Sequence, residues 1–194
     1  MNIIFDFDGT ICDSFSKAIE LANDYLVKHE FEPITTNELR NKGIKKLIAE
    51  RKLTFWQKIG LVRLARRESA KYIDQFEVFP YLTEVLMELH KGNKLGILTT
   101  NSKQNVERFL KNHDLTDYFN FVYSNTNLFG KDKVLKKLKP DLYIGDETRD
   151  IEAAKSAGIK SVGVTWGFES EKLLKEAKPD FLVKKPNDLL DVLN

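Results

Sequence analysis

The chain opens Met1–Ser14, MNIIFDFDGTICDS, and this stretch decides how the rest is read. Asn2–Phe7 is a short apolar, β-favouring run with Asp6 and Asp8 at its carboxyl end and Gly9-Thr10 directly behind. Strand alternation puts Asp6 and Asp8 on the same side, where like charges repel, while Gly9 lets the chain turn sharply away. Folding alone gives no reason to crowd acids at a strand end. In open parallel sheets, ligand sites form outside the carboxyl ends of strands. The remaining sequence is therefore searched for strands that end in the same way.

Five more strand-length runs follow: Leu95–Thr100, Phe121–Ser124, Leu142–Gly145, Ser161–Thr165 and Phe181–Val183. Most are continuously apolar, as strands buried on both faces are. Helical patterns separate them at Tyr81–His90, Ser102–Asn112, Lys131–Lys139, Arg149–Ala157 and Glu169–Ala177. Gly92 and Gly158 stand where helix C-terminal caps belong. This alternation predicts an α/β fold, a doubly wound parallel (Rossmann-like) sheet with helices on both faces.

Residues 14–79 break the alternation. They read as helices over Phe15–His29, Thr36–Asn41, Ile44–Glu50, Phe55–Ile59 and Leu61–Phe76, punctuated by Pro33, Gly43 and Gly60, with no strand among them. A small all-helical domain inserted after strand one is expected at 14–79. The core is then 1–13 together with 80–194, and Pro80 marks the return. Asp13 is expected to cap the first inserted helix.

At 194 residues the chain can bury one core plus a small insert. No apolar run approaches the eighteen or so residues that span a bilayer, so no membrane partner is expected. MNIIFDFDG lacks the basic start of a signal peptide, and the single Cys12 suits a reducing compartment, so a cytoplasmic location is expected. A monomer or weak dimer is expected. Net charge is +2, yet Arg40–Tyr72 holds eleven Lys/Arg against two Glu, leaving about −7 for the remainder. A basic block beside an acidic motif points to an anionic ligand, whether phosphate ester, nucleotide or nucleic acid, with a solvated helix face as the alternative.

The strand ends carry the chemistry. Strand one delivers Asp6 and Asp8, the second Thr99-Thr100-Asn101, and Leu142–Gly145 delivers Asp146, with Asp150 four residues on and Lys131 opening a helix. Four converging carboxylates repel unless a cation sits among them. Oxygen-only ligands select a hard ion such as Mg²⁺, and the scattered His29, His90 and His113 disfavour zinc. A metal held by carboxylates clamps phosphate. One of the paired acids can then attack while the other exchanges protons, with Lys131 and a threonine hydroxyl steadying the phosphoryl oxygens.

DFDGT, ILTTN, Lys131 and IGDETRDIEAAKSAG together resemble the four motifs of the haloacid dehalogenase superfamily of aspartate-nucleophile phosphohydrolases. VGVTWGFES followed by PDFLV resembles its phosphoglycolate phosphatase-like branch, in which a helical cap follows the first motif. The resemblance implies Asp6 as nucleophile, Asp8 as general acid and base, Thr100 as phosphate-binding hydroxyl (Thr99 if the register slips) and Lys131 as the steadying cation. It implies Mg²⁺ on Asp6, the Asp8 backbone carbonyl and Asp146, with Gly9, Thr10, Asn101 and Asp150 in support and Glu147 as a substitute for Asp150. The lysine segment FGKDKVLKK lacks the proline many relatives have there, which leaves Lys133 as a competitor. Arg40, Lys42, Lys45 and Lys46, around Gly43, are candidate substrate contacts from the cap.

The expected activity is hydrolysis of a small phosphorylated metabolite: phosphoglycolate-like, a sugar phosphate or a nucleotide. A sugar phosphomutase of the same family and a phosphatase for nucleic-acid ends, using the basic stretch with Phe55-Trp56, are the alternatives. Dehalogenation is disfavoured because Asp8 is present.

Overall fold

In the computed structural model, which describes residues 1–124 and 130–193, the opening stretch forms strand β1 (Asn2–Phe5). Ile3, Ile4 and Phe5 are wholly buried, as a continuously apolar strand covered on both faces must be. The chain leaves the sheet in a tight turn. There the Phe7 carbonyl accepts N–H bonds from Thr10, Ile11 and Cys12 at 3.2, 2.9 and 3.0 Å, and Gly9 takes φ +78°. A side chain at Gly9 would be strained by that φ and would meet an Asp146 oxygen at 2.2 Å.

Strand β2 (Cys12–Asp13) pairs antiparallel with β3 (Glu77–Val78), so the chain leaves and re-enters the core side by side. Between them lie α1 (Phe15–Lys28), α2 (Thr36–Glu50) and α3 (Phe55–Tyr72). Reciprocal capping boxes, Thr35 with Glu38 and Thr54 with Gln57, start α2 and α3 by satisfying otherwise orphan amides. The three helices bury a cluster of their own that includes Phe15, Leu26, Leu39, Leu47 and Leu61.

Three expectations for this segment are corrected. β3 is a strand where none was expected, because a two-residue strand leaves no alternation to read. The break expected at Gly43 is there, a non-helical residue (φ +71°, ψ 155°) between two helical runs within α2, whereas α3 runs through Gly60 without the expected stop. Asp13 is an exposed strand residue, and the N-cap of α1 is Ser14, whose hydroxyl is engaged elsewhere.

From β3 the chain alternates: α4 (Leu82–Gly92), β4 (Lys94–Thr99), α5 (Lys103–Asn112), β5 (Phe121–Ser124), α6 (Lys131–Leu138), β6 (Leu142–Gly145), α7 (Thr148–Ala157), β7 (Lys160–Val164), α8 (Glu171–Glu176), β8 (Phe181–Val183) and α9 (Asp188–Leu193). All neighbours in the six-stranded sheet are parallel, in the order β5-β4-β1-β6-β7-β8. Alternate residues feed opposite faces: Ile3, Phe5, Ile97 and Ile144 join one apolar cluster, and Ile4, Leu98 and Tyr143 the other. This is the doubly wound α/β fold. The helix α9, too short to show a period, was not expected, and Leu189 anchors it in the core. Among the described residues no helix is long and apolar enough to cross a membrane.

Strand β1 has β4 on one side and β6 on the other. Strand order reverses there, and the loops leaving β1, β4 and β6 part to open a crevice at their carboxyl ends.

Candidate active site

Asp6 sits one ladder bond beyond β1, its N–H donating to the Ile144 carbonyl at 2.8 Å. It is 3% exposed. One carboxylate oxygen accepts from the Phe7 N–H at 2.8 Å, and the other lies 2.7 Å from Lys131 Nζ. Lys131, at the first turn of α6, is as deeply buried and reaches Asp150 Oδ1 at 2.7 Å as well. Burial works against the lysine's charge, but Asp150 and Asp6 outweigh it and raise its pKa. Asp150, in the first turn of α7, also accepts from the Tyr143 hydroxyl at 3.2 Å and from the Glu147 N–H at 3.2 Å.

Asp146, at the end of β6, is fully buried and accepts from the Thr10 hydroxyl and the Phe168 N–H, both at 2.8 Å. Oxygens of Asp6, Asp146 and Asp150 lie within 4.8 Å of one another. Burial, reinforced by Glu147, Asp150 and Asp6, pushes the Asp146 carboxyl far up. Burial also lifts Asp6 to about 7 against the pull of Lys131. Four buried acids (Asp6, Asp146, Glu147 and Asp150) face two cations, Lys131 on the first side and Arg149 on Glu147. Acids outnumber cations there and the donors are all oxygen, so the residues fit a hard cation.

Asp8 points elsewhere. Half-buried, it accepts from the Ser14 hydroxyl at 3.0 Å and from Asn101 Nδ2 at 3.2 Å, outside the Asp6–Asp146–Asp150 cluster. Burial raises its pKa, and the bonds from Ser14 and Asn101 hold the rise back. The sharp turn at Gly9 thus separates two acids that strand alternation would have left side by side. One is clamped by a lysine; the other is held by neutral donors.

Residues 3–164 match the haloacid dehalogenase-like hydrolase family. The chain belongs to that family. It is 34% identical to a phosphoglycolate phosphatase of Synechococcus elongatus over 98% of this chain and 96% of that one. It is 27% identical to a pyrophosphatase, PpaX, of Bacillus mycoides, covering 99% of this chain and 96% of the relative. A haloacid dehalogenase-like hydrolase from Streptococcus pneumoniae superposes with TM-score 0.78 at 25% identity, over 100% of this chain and 98% of that one. A predicted phosphatase from Clostridium acetobutylicum shares the fold at TM-score 0.82 and 20% identity, over 99% and 97% of the two chains. The protein is an enzyme of the phosphatase kind within the family.

Above the hydrolase centre lies a cavity of about 680 Å³ between α1–α3 and the carboxyl ends of the strands. Asp8, Thr100, Asn101, Lys131 and Arg149 line it, and Asp6 lies beneath. Of the two threonines, Thr100 lines the cavity. The buried Thr99 turns its hydroxyl inward to accept from the Asn101 N–H at 3.0 Å. Lys133 is not among the lining residues, whereas Lys131 is.

The basic candidates on α2 are scattered. Lys45 alone of the four lines the cavity, 3.6 Å from Glu152. Arg40 stacks 4.6 Å over the Phe15 ring, and its carbonyl accepts from the Ser170 N–H at 2.7 Å. Lys42 pairs with Glu50 at 2.8 Å, and Lys46 is exposed away from the lining. Much of the basic block is spent locally, Arg51 on the Glu32 and Pro33 carbonyls and Lys71 on Glu68. Phe55 and Trp56 stand exposed at the start of α3.

Four participants were missed from sequence. Ser14, hidden behind an expected cap at Asp13, holds Asp8. Arg149 read as an ordinary helix start, yet it lies on Glu147 with its Nε buried and without a hydrogen-bond partner. Glu169 and Phe168, in the loop after β7, reach back to Thr148 and Asp146. The loop lies within VGVTWGFES, which carried the family resemblance without giving either residue a role, and only tertiary folding brings it against Thr10 and Asp146.

Proposed function

We propose that the protein is a Mg²⁺-dependent phosphatase that hydrolyses a small organic phosphate monoester through an aspartyl-phosphate on Asp6. The observation that carries this is the asymmetry of the acid pair: Asp6 is clamped by Lys131 beneath the cavity, and Asp8 faces the cavity on neutral donors. Asp6 attacks phosphorus as the ester P–O bond breaks, and Asp8 gives its proton to the departing oxygen. Asp8 then takes a proton from a water that attacks the phosphorus, the Asp6–phosphate bond breaks, and inorganic phosphate leaves. Lys131 and the Thr100 hydroxyl steady the phosphoryl oxygens throughout.

Asp6 and Asp146 are the residues that would hold Mg²⁺, with the Asp8 backbone carbonyl, while Asp150 holds Lys131 in place. The ion supplies the missing positive charge and draws electrons from the transferring phosphoryl group. Residues 14–79 act as a cap over a core of 1–13 and 80–194, and the paired β2 and β3 are its hinge. The lone buried Cys12 suits work in a reducing cytoplasm.

The test is an acid-quenched mass spectrum during turnover of acetyl phosphate with Mg²⁺. A phosphoryl adduct on the peptide containing Asp6, accumulating in Asp8→Asn because the base for the second step is gone, is the expected result. An adduct elsewhere, or turnover by Asp6→Asn, overturns the reading.

A further inference from the structure

We propose that the group leaving with the phosphate's ester oxygen is carbon-rich and uncharged, and that it is held in an apolar vault built by α1, α2 and α3. This rests on the reading of the centre as a phosphatase, and it narrows the substrate to apolar phosphate monoesters. The position of Asp8 sets the direction. The acid that protonates the leaving oxygen lines the cavity, so whatever the oxygen carries extends into it.

The vault's walls are apolar by design of the sequence. Ile19 and Ala22 lie three apart on α1, Ile44 and Ile48 four apart on α2, and Leu61 and Leu64 three apart on α3, each pair on one helix face turned to the cavity. Ile19, Ala22, Ile44 and Ile48 pack against the helices' own cluster and yet, like Leu64, stay only partly buried, so each leaves part of its apolar surface open above the catalytic floor. About 680 Å³ is the room a drug-sized ligand takes, far beyond what a two-carbon leaving group fills.

Charge argues the same way. A second anionic group on the substrate would need a cation waiting for it. Of the cavity's cations, Lys131 is shared between Asp6 and Asp150 and Arg149 lies on Glu147, while Lys17 and Lys45 stand in solvent-exposed pairs with Glu20 and Glu152. Lys58 is exposed at the rim.

The experiment pairs turnover with binding. Ethyl, butyl, hexyl and octyl phosphates share one leaving-group chemistry, and the matching alkylphosphonates report binding without reaction. Burying each added methylene is expected to raise kcat/KM for the phosphates, and Mg²⁺-dependent affinity for the phosphonates, about three- to fourfold until the vault is full. Ala22→Phe shortens the chain length at which the rise stops. Phosphonate affinity that does not grow with chain length overturns the vault, whether or not phosphoglycolate, pyrophosphate or short esters are turned over. Affinity that grows while no phosphate is hydrolysed supports the vault and removes the phosphatase reading instead.

Discussion

Lys131 Nζ lies 2.7 Å from an oxygen of Asp6 and 2.7 Å from an oxygen of Asp150, with all three side chains buried. One lysine thus holds Asp6 and the acid at the head of α7 in a single bridge. The bridge engages one Asp6 oxygen while the Phe7 N–H holds the other, and the β1–β6 junction supplies the rigidity.

Lys131→Met should therefore fail twice. Turnover should fall by at least about a thousandfold, since both alignment and phosphoryl charge neutralisation go. Stability should drop by about 3–5 kcal/mol at pH 7.5, because two buried carboxylates lose their partner. At pH 5.5 that loss should shrink, as the freed Asp6 takes up a proton. Urea unfolding at the two pH values checks it, and an equal loss at both would contradict the bridge's charge role.

Asp6 is lifted to about 7 by burial and Asp146 is raised further, so below neutrality a proton competes with the cation for the same oxygens. Mg²⁺ binding should release protons and weaken by roughly tenfold per pH unit and per proton released as pH falls from 7 to 5.5. Calorimetry in two buffers of different ionisation enthalpy measures the release. Affinity unchanged from pH 5.5 to 8 would mean these acids are not the ligands.

Thr99 and Thr100 divide site from scaffold. Thr100→Val should lower kcat/KM about 10- to 100-fold with little change in Tm, the loss expected for a hydrogen bond to a charged group. Thr99→Val should instead cost about 1–3 kcal/mol of stability, because the Asn101 N–H loses its buried acceptor. Kinetics and melting of the two variants reversed in kind would exchange their roles.

These contrasts show where the sequence could be read. The α/β sheet was legible because its inner strands β4, β1, β6 and β7 are short, mostly apolar runs buried on both faces, and the strand ends announced Asp6, Asp8, Thr100 and Asp146. What stayed hidden depends on separation along the chain. Ser14 could not be told from a helix cap until Asp8 was seen turned towards it. Arg149 and Glu169 owe their places to α7 and the loop after β7 meeting in space. The basic block around Gly43 is spread for a related reason: side chains on one short stretch of helix point in different directions, and only Lys45, itself largely exposed, borders the cavity.

Glu169 joins the helical segment to the core and should set the pH response of that joint. It is 3% exposed, accepts from the Thr148 N–H at 2.6 Å, and lies where a Gly43 side chain would meet its Oε1 at 2.4 Å. Burial, with Glu147 nearby, raises its pKa to about 8. A carboxyl with a raised folded pKa binds its proton more tightly in the native state. Its contribution to stability is therefore full below the unfolded value near 4.5 and is lost as pH climbs through about 8. Glu169→Gln keeps an oxygen acceptor for Thr148 and has no charge to bury. The variant should gain on the parent as pH rises from 5 to 9, by on the order of 2 kcal/mol. Gly43→Ala, forced into a left-handed φ against Glu169, should lose on the order of 2 kcal/mol, and more at pH 9 than at pH 5 because the crowded carboxylate is then ionised. Chemical unfolding of the three proteins at both pH values decides it: parallel profiles for parent and Gln variant would mean Glu169 holds its charge without strain, and this joint would not be pH-sensitive through it.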